Sequence, residues 1–182
     1  MRWRINPDIV HQVREVVVMG GAFGYHGALG NVMPAAEANI FADPHAAEAV
    51  FNANWNKLTI VGLDITQQTV MSTVFLDALR NVNDAGRFVW DVSRFYEKFH
   101  VEEGVTGGIY AHDYSAAAFV VARELFTTRT GPVRVMTDGI AMGMTIQKPQ
   151  SMRVPAMLYW DDRPAVDACV GVDANGVLEL FA

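Results

Sequence analysis

Short β-branched runs closed by glycine alternate along this chain with longer stretches whose apolar residues recur every three or four positions. Val16-Val17-Val18-Met19 ends at Gly20-Gly21, and Leu58-Thr59-Ile60-Val61 ends at Gly62. Each reads as a buried strand leaving its sheet through a tight turn. Between them, Asp43 as N-cap and Pro44 at N1 predict a helix over 44–53. Strand, helix and strand at this spacing imply a right-handed parallel crossover. Upstream, Asn6-Pro7 opens a short helix within residues 4–15. Downstream, Thr66 is read as the cap of a helix through Val70, Val74, Leu76 and Leu79. A further helix over 85–100 carries Phe88, Val89, Val92, Phe95, Tyr96 and Phe99, and most of these aromatics are expected in the core. Gly104 to Gly108 reads as a loop placed like a lid.

The last third changes character. Val133–Thr137 and Met142–Ile146 flank Asp138-Gly139 as a hairpin. Val154–Trp160 and Ala168–Val172 read as strands. Beyond them, Asn175-Gly176 signals a turn whereas Asp173 signals the cap of a helix through Leu178 and Phe181, and the helix is preferred. The pattern is that of one α/β domain over 1–182, with an open, mostly parallel sheet, flanking helices and a C-terminal hairpin region. Met19, Met33, Met136, Met142 and Met144 are scattered and read as packing.

Composition narrows the function classes. The 182 residues are 51% hydrophobic and 19% charged, with a net charge of −6. There is no basic stripe, which argues against nucleic acid and anionic membrane as partners. A single cysteine, Cys169, excludes an intrachain disulfide framework and fits a reducing compartment. No apolar run reaches membrane-spanning length, and no apolar h-region follows Arg2 and Arg4, so the expected address is cytoplasmic.

Candidate chemistry sits in two places. Gly30 to Asn39 sets Asn31, Glu37 and Asn39 in a mostly apolar stretch, just beyond the first strand. Two carboxamides and a carboxylate supply donors and acceptors together, as a polyol requires. The same residues also read as a polar surface turn with a capping glutamate. His112-Asp113 stands at or just before the start of a small, apolar helix, where the dipole favours a carboxylate and a metal ion can use it. The competing reading makes Asp113 a simple cap with His112 packed beside it. No P-loop, dinucleotide glycine fingerprint, G-x-S-x-G elbow or zinc spacing is found.

Three separated signatures combine. Val17-Val18-Met19-Gly20-Gly21, then Gly30-Asn31-Val32-Met33-Pro34-Ala35-Ala36-Glu37-Ala38-Asn39-Ile40 with Asp43-Pro44, then Val61-Gly62-Leu63-Asp64-Ile65-Thr66 resemble the nucleoside hydrolases. These are the inosine–uridine-preferring N-ribohydrolases, with a partly Rossmann-like sheet. His112-Asp113 resembles the family's later His-Asp motif. The resemblance implies calcium-assisted cleavage of the N-glycosidic bond of a ribonucleoside. It places Asn31, Glu37 and Asn39 on ribose-binding positions, Asp113 on a calcium-ligand position and His112 on that of a general acid to the leaving base. Phe99, His100 and the loop up to Tyr110 lie where the family lines its base pocket. Ala38 stands in place of an aromatic and Tyr114 in place of a proline.

The family's first strand carries an aspartate cluster, D-x-D-P-G-x-D-D, that supplies most calcium ligands, and this sequence has no counterpart to it. Asp43 and Asp64 read instead as a helix cap and a strand-end turn residue. Two expectations follow. Either this is a catalytic chain whose missing part was lost from the sequence or comes from another polypeptide, and which self-associates or pairs over an uncovered sheet edge, or it is a non-catalytic remnant that keeps affinity for ribose or for a partner subunit.

Overall fold

The computed structural model describes residues 8–152, 160 and 162–180. After a single-turn helix α1 (Ile9–Gln12), strands β1 (Val16–Met19) and β2 (Leu58–Val61) run parallel, with Val16 opposite Leu58 and Met19 opposite Val61. A later strand, β8 (Val166–Val172), lies parallel to β2 on its other side. Strand β5 (Phe126–Gly131) closes that edge in antiparallel register, giving the order β1-β2-β8-β5. The sheet is open and mostly parallel, as the glycine-closed runs predict.

Side-chain alternation decides what covers it. Leu58 and Ile60 of β2 and Val166 of β8 join Ile40 of α2 (Ala38–Ala42) and Phe51 of α3 (Pro44–Phe51) in one core cluster. Val61 and Cys169 join Ile65 of α4 (Leu63–Thr66) and Phe119 of α7 (His112–Val121) in another. A strand buried on both sides needs no polar alternation, so β2 reads as a continuous apolar run. A third cluster, around Met71, Leu76, Ile109 and Ala111, lies apart from the main sheet. It is built on the antiparallel pair β3 (Val70–Ser72) and β4 (Gly108–Tyr110), with α5 (Thr73–Leu79) and α6 (Asp84–Glu102) packed on them.

Several boundaries match the sequence pattern. Asp43 caps α3 by accepting from the Ala46 N–H at 2.8 Å, with Pro44 at its first turn. Asp173 caps α8 (Ala174–Glu179) through the Gly176 N–H, so the helical reading holds over the turn. The hairpin is present but shorter, with β6 (Val133–Val135) paired to β7 (Thr145–Gln147). The predicted Asn6-Pro7 helix start, the strand over Val154–Trp160 apart from its last residue, and the helix end at Phe181 lie outside the described residues.

Others differ. Thr66 does not open a helix: it closes α4, and its hydroxyl is held by His112 at 2.7 Å. Val70 enters β3 instead, and α5 starts later, capped by Ser72, whose hydroxyl accepts from the Phe75 N–H. Tertiary pairing of Val70 with Tyr110 thus overrides the helical spacing. The aromatics expected in the core of α6 also fall largely outside it. Phe88 is 66% exposed, Phe95 81% and Phe99 46%, while Val89 and Tyr96 pack inward. Met33 and Met142 are exposed rather than packed. Among the described residues no helix is long and apolar enough to cross a membrane.

Candidate active site

Beyond β1 and β2 the chain turns twice, and the two turns touch. The Leu63 N–H donates to the Gly21 carbonyl at 2.8 Å, and a Cβ on Gly62 would stand 2.6 Å from that same oxygen. Gly21 itself adopts φ +77, a left-handed conformation that L side chains resist. Two carboxylates then hold this rim. Asp64, 1% exposed, accepts from the N–H groups of Phe23 and Tyr25 at 2.6 Å each. Glu37 is the N-cap of α2 and is equally buried. Its Oε2 accepts from Gly21 N–H at 3.0 Å and Ile40 N–H at 3.1 Å, and its Oε1 from Asn39 N–H at 2.9 Å. Ionised acceptors on backbone donors are among the stronger hydrogen bonds. The hydroxyl of Thr145 adds a clamp from β7, accepting from Ala22 N–H and donating to Ala22 carbonyl.

The turn of residues 30–36 brings the amides in. The N–H groups of Asn31, Val32 and Met33 converge on the Ala36 carbonyl, and Asn31 Oδ1 accepts from the Ala38 N–H at 3.0 Å. Asn39 Nδ2 faces the Met19 carbonyl at 3.4 Å and its sulfur at 3.2 Å. Both amides therefore retain unused polar capacity beside a carboxylate that is already largely engaged.

Across from this rim, α7 begins with His112 and Asp113. Burial pushes His112 down to about 4, the neighbouring His100 ring acts in the same direction, and the Asp113 carboxylate opposes both. The imidazole is consequently neutral near pH 7. Thr66, fully buried, fixes its Nδ1. The rings of Tyr96, His100, Tyr110 and His112 run edge to face in sequence, with centroids 4.3, 5.3 and 5.6 Å apart. His100 is structural in this ladder, with Nδ1 at 3.1 Å from the Tyr96 carbonyl and Nε2 accepting from the Tyr110 N–H. Burial also raises the Tyr96 phenol, and the Asp113 charge adds to that.

These surfaces enclose one cleft of about 540 Å³. Asn31, Glu37, Asn39, His112 and Asp113 all line it, opposite an apolar wall that includes Met71, Val92 and Ile109. A second hollow of about 370 Å³ adjoins it, sharing Asn31, Ala38, Tyr96, Tyr110 and His112 and adding Phe99 and His100. All five residues singled out from the sequence are thus brought together. Thr66, Met19 and, on α6, Val89, Val92 and Tyr96 were not singled out for the site, whereas Phe99 and His100 were and line the adjoining hollow. Thr66 carried a capping signal and Met19 only a hydrophobic one, and neither reveals a partner remote in sequence.

The donor set does not fit calcium by itself. A hard cation of that size takes six to eight oxygens. Of the two carboxylates on the cleft, Glu37 is committed to three backbone N–H groups, leaving Asp113. Among the described residues no three His, Cys, Asp or Glu side chains group closely enough to hold a metal ion.

Known proteins share both the sequence and the fold. The family model of the inosine-uridine preferring nucleoside hydrolases matches residues 1–179. The chain is similar to uridine nucleosidase 1 of Arabidopsis thaliana, at 38% identity over 96% of this chain and 51% of that protein. It is similar to the inosine-uridine preferring nucleoside hydrolase of Leishmania major, at 40% identity over 80% of this chain and 45% of that one. The solved structure of a plant nucleoside hydrolase superposes with a TM-score of 0.89 at 33% identity, over 98% of this chain and 55% of its own. The chain spans about half the length of the relatives it matches.

Proposed function

Since this chain belongs to the inosine-uridine preferring nucleoside hydrolase family, we propose that its cleft binds a ribonucleoside and forms part of a site that hydrolyses the N-glycosidic bond. The observation that carries this reading is the convergence of Asn31, Glu37, Asn39, His112 and Asp113 on a single cleft. The amides of Asn31 and Asn39 donate to ribose hydroxyls, and Glu37 Oε1, which accepts one backbone N–H, takes a hydroxyl proton in return. As the base departs, positive charge builds on the sugar, and groups gripping the diol bind that state more tightly than the ground state. The apolar wall and the Tyr96 and Tyr110 rings face the base.

His112 stands at the leaving base as a neutral imidazole held by Thr66. It hydrogen-bonds the base in the ground state, and as the N-glycosidic bond breaks a water adds its oxygen to the sugar carbon and gives up a proton, which His112 passes to the departing base nitrogen. Asp113 is the ligand this chain offers to the family's calcium ion. The remaining ligands come from a segment outside the described residues, seated along the edge of the sheet at β1. That segment belongs to a longer form of this chain, to a complementing polypeptide or to a self-associated assembly, and we place the protein in the cytoplasm.

A second reading has a specific observation in its favour. Glu37 and Asp64, the most buried carboxylates of the rim, are both bonded to backbone N–H groups, which is how a purely architectural rim is built. On that reading the chain is a non-catalytic nucleoside-binding or subunit-interaction module.

Release of base and reducing sugar from inosine and uridine, with calcium, separates the two. The 182-residue chain alone is expected to turn over negligibly. Adding a polypeptide bearing the aspartate-rich first strand should give turnover that EDTA abolishes and that His112→Ala lowers by about a hundred- to ten-thousandfold. Binding of nucleoside without turnover in the supplemented sample favours the module. Neither binding nor turnover there overturns the proposal, and robust EDTA-sensitive turnover by the chain alone overturns the need for a complement.

A further inference from the structure

The bond of 2.7 Å between Thr66 Oγ1 and His112 Nδ1 has a direction, and the surroundings of the two atoms fix it. Thr66 is fully buried, so bulk water does not reach its hydroxyl. Among the described residues Oγ1 has no partner but Nδ1. The carbonyl one turn back, that of Gly62, already accepts from the N–H groups of Ile65 and Thr66. A buried hydroxyl hydrogen without an acceptor is costly, whereas an oxygen lone pair is more readily left unused. An Nδ1–H would face the hydroxyl oxygen and leave its hydrogen without an acceptor. Donation from Thr66 to Nδ1 satisfies both atoms, and the neutral ring then carries its hydrogen on Nε2.

That second nitrogen belongs to the site. Among the described residues Nε2 has no hydrogen-bond partner, and it is not sealed from the cleft. The side-chain atoms both buried and unpartnered there are Thr59 Oγ1, Thr69 Oγ1 and Arg163 Nε. His112 itself lines the cleft and the adjoining hollow. His100, the neighbouring ring of the ladder, is set the opposite way. Its Nδ1 lies 3.1 Å from the Tyr96 carbonyl, which can only accept, and its Nε2 accepts from the Tyr110 N–H. The two rings thus hold their hydrogens on different nitrogens, each dictated by its partners.

We propose that Thr66 is a positioning residue, whose hydroxyl donates to His112 Nδ1 and so presents Nε2–H to the cleft as a hydrogen-bond donor. Thr66 closes α4 and His112 opens α7, and these helices pack together through Ile65 and Phe119, so the direction of the donor is set by the fold. On the reading of the cleft as a nucleoside site, on which this role rests, the donor meets an acceptor on the base, a ring nitrogen or a carbonyl oxygen. The opposite tautomer would turn a lone pair towards those acceptors and repel them.

Nitrogen-15 NMR of the histidine rings in the 182-residue chain, at one pH near neutrality and without nucleoside, tests the assignment. His112 is expected to show a protonated Nε2 and a bare Nδ1, with His100 as an internal reference of the opposite pattern. Thr66→Val keeps the shape and deletes the hydroxyl, so His112 should become a mixture of tautomers, and Thr66→Ser should restore the single one. A hydrogen on Nδ1 of His112 in the parent overturns the proposal, and so does an unchanged His112 pattern in Thr66→Val. Titration with uridine adds the link to the site. Thr66→Val should bind uridine about two- to tenfold more weakly, with its affinity for ribose unchanged. An equal loss for both ligands would make Thr66 merely structural and overturn the positioning role. A parent that binds no uridine would instead overturn the reading of the cleft, and the nitrogen signals would still decide the tautomer.

Discussion

At the scale of the residue, Glu37 shows how one side chain serves architecture and site together. Its two oxygens hold three backbone N–H groups, from Gly21, Asn39 and Ile40, and so tie the end of β1 to the start of α2. Glu37→Gln replaces one acceptor oxygen with an NH₂ that must face at least one of those donors. Leaving a buried donor unsatisfied costs about 1–3 kcal/mol. Urea unfolding should show that loss, whereas a Glu37 that served only to bind ribose would leave stability unchanged. His112 makes a second prediction, from pH. Its pKa falls from 6.5 to about 4 on folding. Between those values the unfolded chain binds a proton that the folded chain does not, so stability rises with pH across the window. Acidification from 6.5 towards 4 should destabilise the protein, and His112→Gln should flatten that slope in thermal melts followed across the pH range.

At the scale of the element, the decisive contact is between two turns. β1 and β2 leave the sheet side by side, and Gly62 stands so close to Gly21 that no side chain fits between them. Gly62 has φ −90, which any residue adopts, so substitution there tests sterics free of backbone strain. Gly62→Ala should cost about 1–3 kcal/mol, the range for forcing a methyl into a packed site. It should also displace the Gly20-Gly21 turn and with it Glu37, so nucleoside affinity should fall along with stability. A variant as stable and as competent in binding as the parent would show that the rim gives way more readily than its geometry implies. The elements around β3 and β4 differ in kind. Their short strands and the inward side of α6 form a separate cluster, while Phe88, Val92, Phe95 and Phe99 on its other side stay exposed.

At the scale of the whole molecule, β1 is an edge of the sheet β1-β2-β8-β5 among the described residues, and the cleft opens beyond the strand ends. Sheet edges invite further pairing. The chain accounts for about half the length of its relatives, and the cleft offers a single uncommitted carboxylate, Asp113. Calcium affinity of these residues alone should then be weaker than about 1 mM, in the weak range for oxygen-ligand sites. A ligand at its dissociation constant stabilises by only ~0.4 kcal/mol. For a domain of this size that is a shift of about 1–2 °C. Differential scanning calorimetry with and without 1 mM calcium should therefore show at most that, and a rise of several degrees would reveal a fuller ligand set than these side chains provide.

Sequence alone determined what local chemistry dictates. The glycine-closed runs marked β1 and β2, Asp43-Pro44 marked α3, and Asp173 marked α8, because caps and strand ends are set by residues within a few positions of one another. The motifs around Asn31, Glu37, Asn39, His112 and Asp113 pointed to the family and to the residues of the cleft. What only the tertiary structure decided were relations between positions far apart along the chain. Thr66 looked like a cap until His112, 46 residues away, took its hydroxyl. Val70 had helical spacing until Tyr110 offered it a strand to pair with. Phe88, Val92, Phe95 and Phe99 share the period of Val89, Ser93, Tyr96 and His100 and are the more apolar set, yet it is the latter that is core, because β3, β4 and α5 lie on its side. Hydrophobic periodicity reports that a face wants burial, and the partner that buries it is a property of the folded whole.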